Sequence, residues 1–579
     1  IVGAIQTLPG VQRNGGDQTG LMVRGGDVNE SVVIVDGTVS QNAFFSNVPG
    51  VAQRSRFNPF QFKGIAFSSG GYSARYGQAL SSVLDLQTND LPDKTTVNLG
   101  ANFAGIYASG SKLMDKNALE FSANYIDVSP FYALAQTNVK FNKVPQGGGF
   151  STRWISQIGE KGMFKMNFQH SFNKMNIVIP DPATPGNTLG FGLNNENTFF
   201  NSSYRNWLSS KWSLFTALSY SSNADQIRWG ALPSNRNDSR LQGRAEIKYF
   251  PHAKFETMIG AEVQRISYAQ RFDTLLSAFE ETLLSSYLES EWKPIKRLGF
   301  KIGLRAEHSK LINRYNVAPR GSMAYKTGRW SQVSFATGLF YQTAPTSYLL
   351  WGYRPGFQSS VHYMANYQWL HNDRTFRVEG YYKGYDQLIR ENGTPYNPNA
   401  FRFNYGQVNN AGDGYAQGID FFWRDKKTLE NLDYWISYSF IDTKRIYQNY
   451  VSKVTPDYVS PHNLSIVSKY FVEKLQMSVS LTYNYATGRG YYNPNTEQFL
   501  GDKAPDYHNV SLNLAYLTTV KKVFMVIYMG VDNITNQKNV LGFRYSNDGV
   551  QRYPILPPLY RSVFLGVNMS LTKFNKDEL

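Results

Sequence analysis

From about Lys94 onward, apolar and polar residues alternate with a period of two. In the run 475–485, Leu475, Met477, Val479, Leu481, Tyr483 and Tyr485 are interleaved with Gln476, Ser478, Ser480, Thr482 and Asn484. Strand side chains point to opposite faces in turn, so such a run makes one apolar and one polar face. Leu119, Phe121, Ala123 and Tyr125 alternate in the same way with Glu120, Ser122 and Asn124. Phe376, Val378, Gly380 and Tyr382 do so with Arg377, Glu379, Tyr381 and Lys383. The recurrence of strands of about ten residues, with few helical segments between them, predicts a barrel.

Connections sharpen this reading. Short turns are expected at 114–117, 159–162, 209–211, 251–254, 296–298, 327–329, 371–374, 426–431, 471–474 and 518–522. Between them lie stretches rich in Gly, Pro and Asn, at 175–195, 343–358, 387–415, 442–462, 486–506 and 533–560. Alternation of short and long connections matches the short periplasmic turns and long outer loops of a transmembrane barrel, and a soluble sandwich has no reason to segregate them. The count across these connections predicts an all-β membrane protein, an antiparallel transmembrane β-barrel of about 22 strands. Trp154, Trp207, Trp212, Trp292, Trp330, Trp369, Trp423 and Trp435 each fall near a short turn, as expected of an aromatic girdle at one membrane face. Val563, Leu565, Val567, Met569 and Leu571 read as a closing strand, with Phe574 near its end and one residue out of phase.

Composition narrows the alternatives. The 579 residues contain no Cys, which excludes disulfides, thiolate metal sites and a Cys nucleophile. The longest apolar run, 523–529, is far short of the roughly 20 residues of a membrane helix. A closed barrel is then the spanning solution that leaves no backbone group unpaired in hydrocarbon. The net charge is +16, but Lys and Arg are scattered without a basic helix or arm, so outer-membrane lipid is the expected partner and nucleic acid is not. The seven His are dispersed, with no pair at helical spacing, and no Ser/His/Asp motif is present; no metal site, cofactor or enzymatic activity is expected. The final four residues, 576–579, spell a lumenal retention signal, but nothing else points to that compartment.

Residues 1–92 differ. They are Gly-rich, with short β runs at 31–35 and 82–86, and are too small to span a membrane. A lumen of 22 strands is wide enough to leak solutes, and such barrels carry a plug. The organisation expected is a plug at 1–92, incomplete at its N-terminus, a barrel at 93–574 and a short periplasmic tail at 575–579.

Several motifs carry a resemblance. Leu8-Pro9-Gly10-Val11, Val23-Arg24-Gly25-Gly26-Asp27 and Val33-Ile34-Val35-Asp36-Gly37 are similar to plug segments of TonB-dependent receptors. So are Ser69-Gly70-Gly71-Tyr72-Ser73-Ala74-Arg75-Tyr76-Gly77 and Ser81-Ser82-Val83-Leu84-Asp85-Leu86. In the barrel the resemblance continues at 379–383, 410–412, 417–420, 485–489 and 530–536, so it covers essentially the whole chain. It implies a bacterial outer-membrane importer of an iron chelate, vitamin, peptide or glycan, energised by the inner-membrane protein TonB. The family's plug begins earlier, after a TonB box, so the sequence is expected to start part-way through that domain. A non-transporting subunit of a larger secretion or barrel-assembly complex is the alternative. A surface lipoprotein partner is less expected, because the family's glycan importers that use one have longer chains.

The resemblance further implies that charged plug residues lock against carboxylates of the barrel wall. Arg24 and Arg75 are the plug candidates; Glu120 and Glu379 are their inward-phased partners. For the ligand, Tyr348, Trp351, Tyr353 and Arg354 share one outer loop, and Arg489, Tyr491 and Tyr492 another. Aromatic faces stack on planar ligands and Arg pairs with carboxylate.

Overall fold

The computed structural model describes residues 2–12, 19–51, 53–135, 137–181, 184, 186–350, 352–398 and 407–572. Twenty-two antiparallel strands form one closed barrel, starting with Thr96–Asn102 and ending with Ser562–Ser570. These two strands pair from Gly566 opposite Asn102 to Ser570 opposite Asn98, so the ladder has no free edge. All ten short turns read from the sequence join barrel strands at one rim. Phe574 and the tail 575–579 lie outside the described residues.

The period-two pattern sets the faces. On Arg374–Asn392, Tyr381 and Lys383 are buried inward, whereas Tyr382 is exposed outward. Ile259, Leu288 and Leu304 are mutual neighbours across three strands and form an exposed apolar row. Tyrosine rings also lie across glycines of the neighbouring strand. Gly100 pairs with Tyr107, and Gly566 with Tyr528. A Cβ at either glycine would land on the ring, so these glycines admit close cross-strand packing at the closing seam.

The strands are longer than expected. Leu232–His252 and Leu275–Ile295 each contain 21 residues. At about 3.3 Å per residue they extend roughly 70 Å, whereas an apolar band is about 25 Å tall. Above the apolar row, the outward Arg265 pairs with Glu280 at 2.9 Å, both well exposed. The stretch 175–195 is therefore mainly strand, in Gly162–Pro180 and Thr188–Trp207, rather than a long loop. A strand that is polar on both faces loses its apolar alternation: Asn194 faces outward to water, Asn195 is buried inward against Asn223 and Asp225, and both read as loop for that reason.

The girdle is smaller than expected. Trp154, Trp212, Trp292, Trp369 and Trp423 share the phase of outward residues near the turn rim. Trp369 stacks on Trp423 at 6.4 Å, and Trp212 on Tyr249 at 4.3 Å. Trp330 lies in a turn. Trp207 and Trp435 share the phase of the inward Ser203 and Ser437, so they do not belong to the lipid-facing set. Distance from a turn fixes a residue's height, but only register fixes its face.

The described part of the first ninety residues packs against the inward face of the barrel wall. Their sheet has the order Thr38–Val39, Ser31–Val35, Ser82–Thr88, Phe62–Ser68, with the central pair parallel. The two short runs seen in the sequence are thus direct partners. Val32 and Ile34 pack with the wall residues Phe340, Tyr385 and Ile441. Val33 and Val35 pack on the other face with Ile5, Val11 and Phe199. Around the circumference the polar wall bonds to this segment: Gln242 accepts from the Val39 amide at 2.8 Å, and Lys165 donates to the Thr88 carbonyl at 2.7 Å. Arg320 donates to the Tyr76 carbonyl at 2.7 Å, and Glu289 accepts from the Ala74 amide at 2.8 Å.

Leu288→Arg, in the middle of the apolar row, is expected to destabilise the folded barrel in lipid by about 2–4 kcal/mol. Asn237→Arg, outward but beyond the band, is expected to change little. Unfolding titrations in lipid vesicles that give equal shifts for the two would remove the assigned membrane position.

Candidate functional site

One enclosed set of charges lies where the N-terminal segment meets the strands Arg374–Asn392 and Gln407–Asp425. Arg24 sits at φ 47°, a conformation that non-glycine residues rarely adopt. That backbone directs its side chain onto the wall. Its Nη1 is 2.6 Å from Glu379 Oε1 and its Nη2 2.6 Å from Asp420 Oδ2. Nε also donates to Asp420 at 2.9 Å, and the guanidinium lies 4.3 Å from the Tyr381 ring centre. Glu379 and Asp420 are cross-strand neighbours, which is why both carboxylates reach one arginine. Burial alone would lower the Arg24 pKa; Asp420 and Glu379 overcome that and raise it. Gly10 closes the site: its amide donates to Ser439 Oγ at 2.6 Å, and a Cβ there would press on both Arg24 and Asp420.

A second buried pair, Arg445 with Glu30, lies nearby, with the Arg445 guanidinium 3.7 Å from the Tyr385 ring centre. Asp27 precedes it and accepts from the Asn29 amide at 3.0 Å. Burial raises the Asp27 carboxyl to about 6, with Glu30 adding to the shift and the Asn29 amide opposing it.

Arg75 ion-pairs with Glu246 at 2.9 Å, and its carbonyl accepts from Arg305 at 3.3 Å as well as from Arg244. Glu120 meets neither plug arginine. It pairs with Arg153 on the neighbouring wall strand, and Arg153 donates to the Gln61 carbonyl at 2.9 Å. Glu120 is correctly phased inward, but its position on the circumference faces a different part of the segment. Glu30, Asp420, Glu246 and Arg445 were not singled out from the sequence. Inward phase was the available signal for Asp420, which is the register partner of Glu379.

In the two candidate ligand loops, the described aromatic residues make contacts within the protein. Tyr348 is buried, with its hydroxyl donating to Glu391 at 2.6 Å, and packs with Leu349, Leu350 and Phe357. Tyr353 is half-buried, and Arg354 donates to the Leu349 and Tyr353 carbonyls at 3.0 and 2.7 Å. Tyr491 is buried with its ring 5.0 Å from that of Phe543, and Tyr492 lies 4.9 Å from Tyr396. These tyrosines hold loops together, a role that loop composition does not distinguish from ligand stacking. Trp351 lies outside the described residues. Arg489 lines a cavity of about 1020 Å³ between the segment 45–61 and the outer halves of the first wall strands. Such a volume accommodates a small-molecule ligand.

The Asp27 environment has a pH consequence. Its carboxyl is ordinarily near 3.8 and is raised to about 6 in the fold, so the folded state binds the proton more tightly. Stability contributed by this group is present below the lower value and lost as pH rises through the upper one. Amide-exchange protection over 23–31, corrected for intrinsic rates, is expected to fall between about pH 4 and about pH 7. Asp27→Asn is expected to flatten that fall; an unchanged profile would refute the assignment.

The family profile described as TonB dependent receptor-like, beta-barrel matches residues 40–534. The copper transporter OprC is similar in structure with a TM-score of 0.75 at 12% identity, over 98% of this chain and 95% of that one. The FrpB iron transporter of Neisseria meningitidis gives 0.74 at 12%, covering 98% and 97%. The ferric enterobactin receptor PfeA of Pseudomonas aeruginosa, as a mutant, gives 0.72 at 12%, covering 98% and 95%. At these identities the likeness is one of fold. No curated protein sequence matches. With 22 closed strands, an N-terminal segment bonded to their inward face and a family match over most of its length, the chain belongs to the TonB-dependent receptor β-barrels of the bacterial outer membrane, a family of receptors and transporters rather than enzymes.

Proposed function

We propose that this chain imports a scarce nutrient through a gated barrel, with residues 1–92 as the plug, 93–574 as the barrel and 575–579 as a short periplasmic tail. The observation that carries this reading is the buried set Arg24, Glu379 and Asp420, which joins the lumen segment to the wall by charge. Buried ion pairs add little net stability, but removing one partner strands the other in a poor dielectric. A joint of that kind is firm when closed and yields when a pull separates the charges into water. TonB supplies the pull in this reading. The names of similar structures include copper and iron transporters, which supports a metal complex among the cargo classes, alongside vitamins, peptides and glycans.

The latch makes a direct prediction. Glu379→Ala leaves Arg24 with Asp420 alone and is expected to increase protease sensitivity of the N-terminal segment and small-solute leakage in proteoliposomes. Removing both carboxylates is expected to weaken the closed state further, by about 3–5 kcal/mol. Wild-type leakage and protease sensitivity in both variants would retire the latch.

The transport reading is tested in cells. A strain lacking the chain should lose growth on one limiting nutrient and regain it with the chain only when TonB is present. Full growth on every such nutrient, together with recovery of the chain in a fixed multiprotein assembly, would favour the non-transporting subunit instead.

A further inference from the structure

The short-turn rim of the barrel carries an uneven charge. Between the strands, its ten turns hold thirteen Lys and Arg against five Asp and Glu, and that surplus of eight is half of the chain's +16. Three turns in succession around the rim, 253–254, 296–297 and 326–330, hold Lys254, Lys296, Arg297, Lys326 and Arg329 and no acidic residue. Main-chain bonds tie them side by side. The Lys293 amide donates to the Lys254 carbonyl at 2.7 Å, and the Lys326 amide to the Arg297 carbonyl at 2.8 Å.

Carboxylates on the strand ends beside this patch are already paired. Glu291 is 2.5 Å from Lys293 and 3.6 Å from Lys301, Glu289 is 3.6 Å from Lys301, and Glu256 is 3.8 Å from Lys248. Lys254 donates to the Pro294 carbonyl at 3.2 Å. Lys296, Arg297, Lys326 and Arg329 are exposed, and none of the four forms an ion pair among the described residues. Apolar side chains are exposed in the same place: Trp292 at 50%, Ile295 at 55% and Trp330 at 45%. The Arg329 guanidinium lies 4.8 Å from the Trp330 ring centre. Trp292 shares the outward phase of Leu288, four residues away, roughly 13 Å along the strand. An apolar band about 25 Å tall and centred on the Leu288 row ends near Trp292, so the turns beyond it fall among lipid headgroups.

We propose that this patch is a binding site for anionic phospholipid of the periplasmic leaflet, with Lys296, Arg297, Lys326 and Arg329 on the headgroup phosphate and Trp292, Ile295 and Trp330 against the start of the acyl chains. Short turns of such barrels face the periplasm, which fixes the leaflet. Arg forks pair with phosphate oxygens, and Lys and Arg stems lie along apolar surface while their heads reach the polar layer. Indole prefers that same boundary. An acidic peptide or cell-wall polymer would meet the charges but leave Ile295 and both indoles in water. A zwitterionic lipid would cover them but bring a cation with every phosphate. An anionic phospholipid satisfies both halves of the patch. The site lies on the outside of the barrel, apart from the Arg24 latch, so lipid binding and import are separable.

Tryptophan quenching of the full chain in phosphatidylcholine vesicles tests this, with brominated phosphatidylglycerol as the probe and brominated phosphatidylcholine as the reference. Wild type is expected to prefer phosphatidylglycerol about tenfold or more, since each basic residue near an anionic surface contributes roughly fivefold. The preference should fall towards unity as salt rises from about 0.01 to about 1 M, where the screening length shortens from about 30 to about 3 Å. Lys296→Gln, Arg297→Gln, Lys326→Gln and Arg329→Gln together are expected to cut it about fivefold. Lys296→Arg with Lys326→Arg should retain it. Neutralising four exposed charges far above the band, Lys140, Lys143, Arg228 and Lys503, should leave it unchanged. Absence of a preference in wild type overturns the proposal, as does one that salt does not weaken or that both fourfold variants lose equally. Sedimentation of wild type with purified peptidoglycan that the four rim changes abolish, without preference for phosphatidylglycerol, would assign the patch to the cell wall instead. Should the fourfold rim variant fail to fold, Lys296→Gln with Arg297→Gln and the wild-type salt titration still decide.

Discussion

The structure depends on one constraint, that no backbone amide or carbonyl can be left unpaired in hydrocarbon. A strand in lipid must have a neighbour on both sides, so the first and last strands must meet. They do so between Thr96–Asn102 and Ser562–Ser570, across more than 400 residues of chain. The closing strands are short and carry Gly100 and Gly566 beneath tyrosine rings, which lets the seam pack closely where few residues are available to hold it.

Closure with 22 strands creates a wide lumen, and the inward half of every strand becomes polar because it faces water or other polar groups. That wall needs partners. The N-terminal segment supplies them with its own backbone: the carbonyls of Gly37, Arg75, Tyr76, Ser81 and Thr88 accept from wall Arg and Lys side chains. Its small parallel-centred sheet buries Val and Ile on both faces, against wall residues such as Phe340 and Ile441 on one side and against its own chain together with the wall residue Phe199 on the other. The buried charges at Arg24 and Arg445 add direction more than stability, since they hold only when both partners are in place.

On the outer side, packing and binding divide the aromatic residues between them. Tyr348, Tyr491 and Tyr492 pack within outer loops, and a cavity opens beside residues 45–61.

The sequence by itself determined the class, the strand count and the facing of most residues. Period-two alternation is a local property, and ten short turns are marked by local chemistry, so neither requires knowledge of the partner strands. It also marked Arg24 and Glu379, through motif resemblance and inward phase. Tertiary structure decided everything that depends on position around the circumference. Glu120 has the same phase as Glu379 yet faces Arg153, because azimuth in a barrel depends on strand tilt and register summed over many strands. The same summation put Asp420 beside Glu379, turned Trp207 and Trp435 inward, and gathered Arg54 and Arg489 around one cavity although more than 400 residues separate them. Long polar strands above the bilayer were misread as loops for a simpler reason: with water outside and buried polar partners inside, no apolar side remains to mark them.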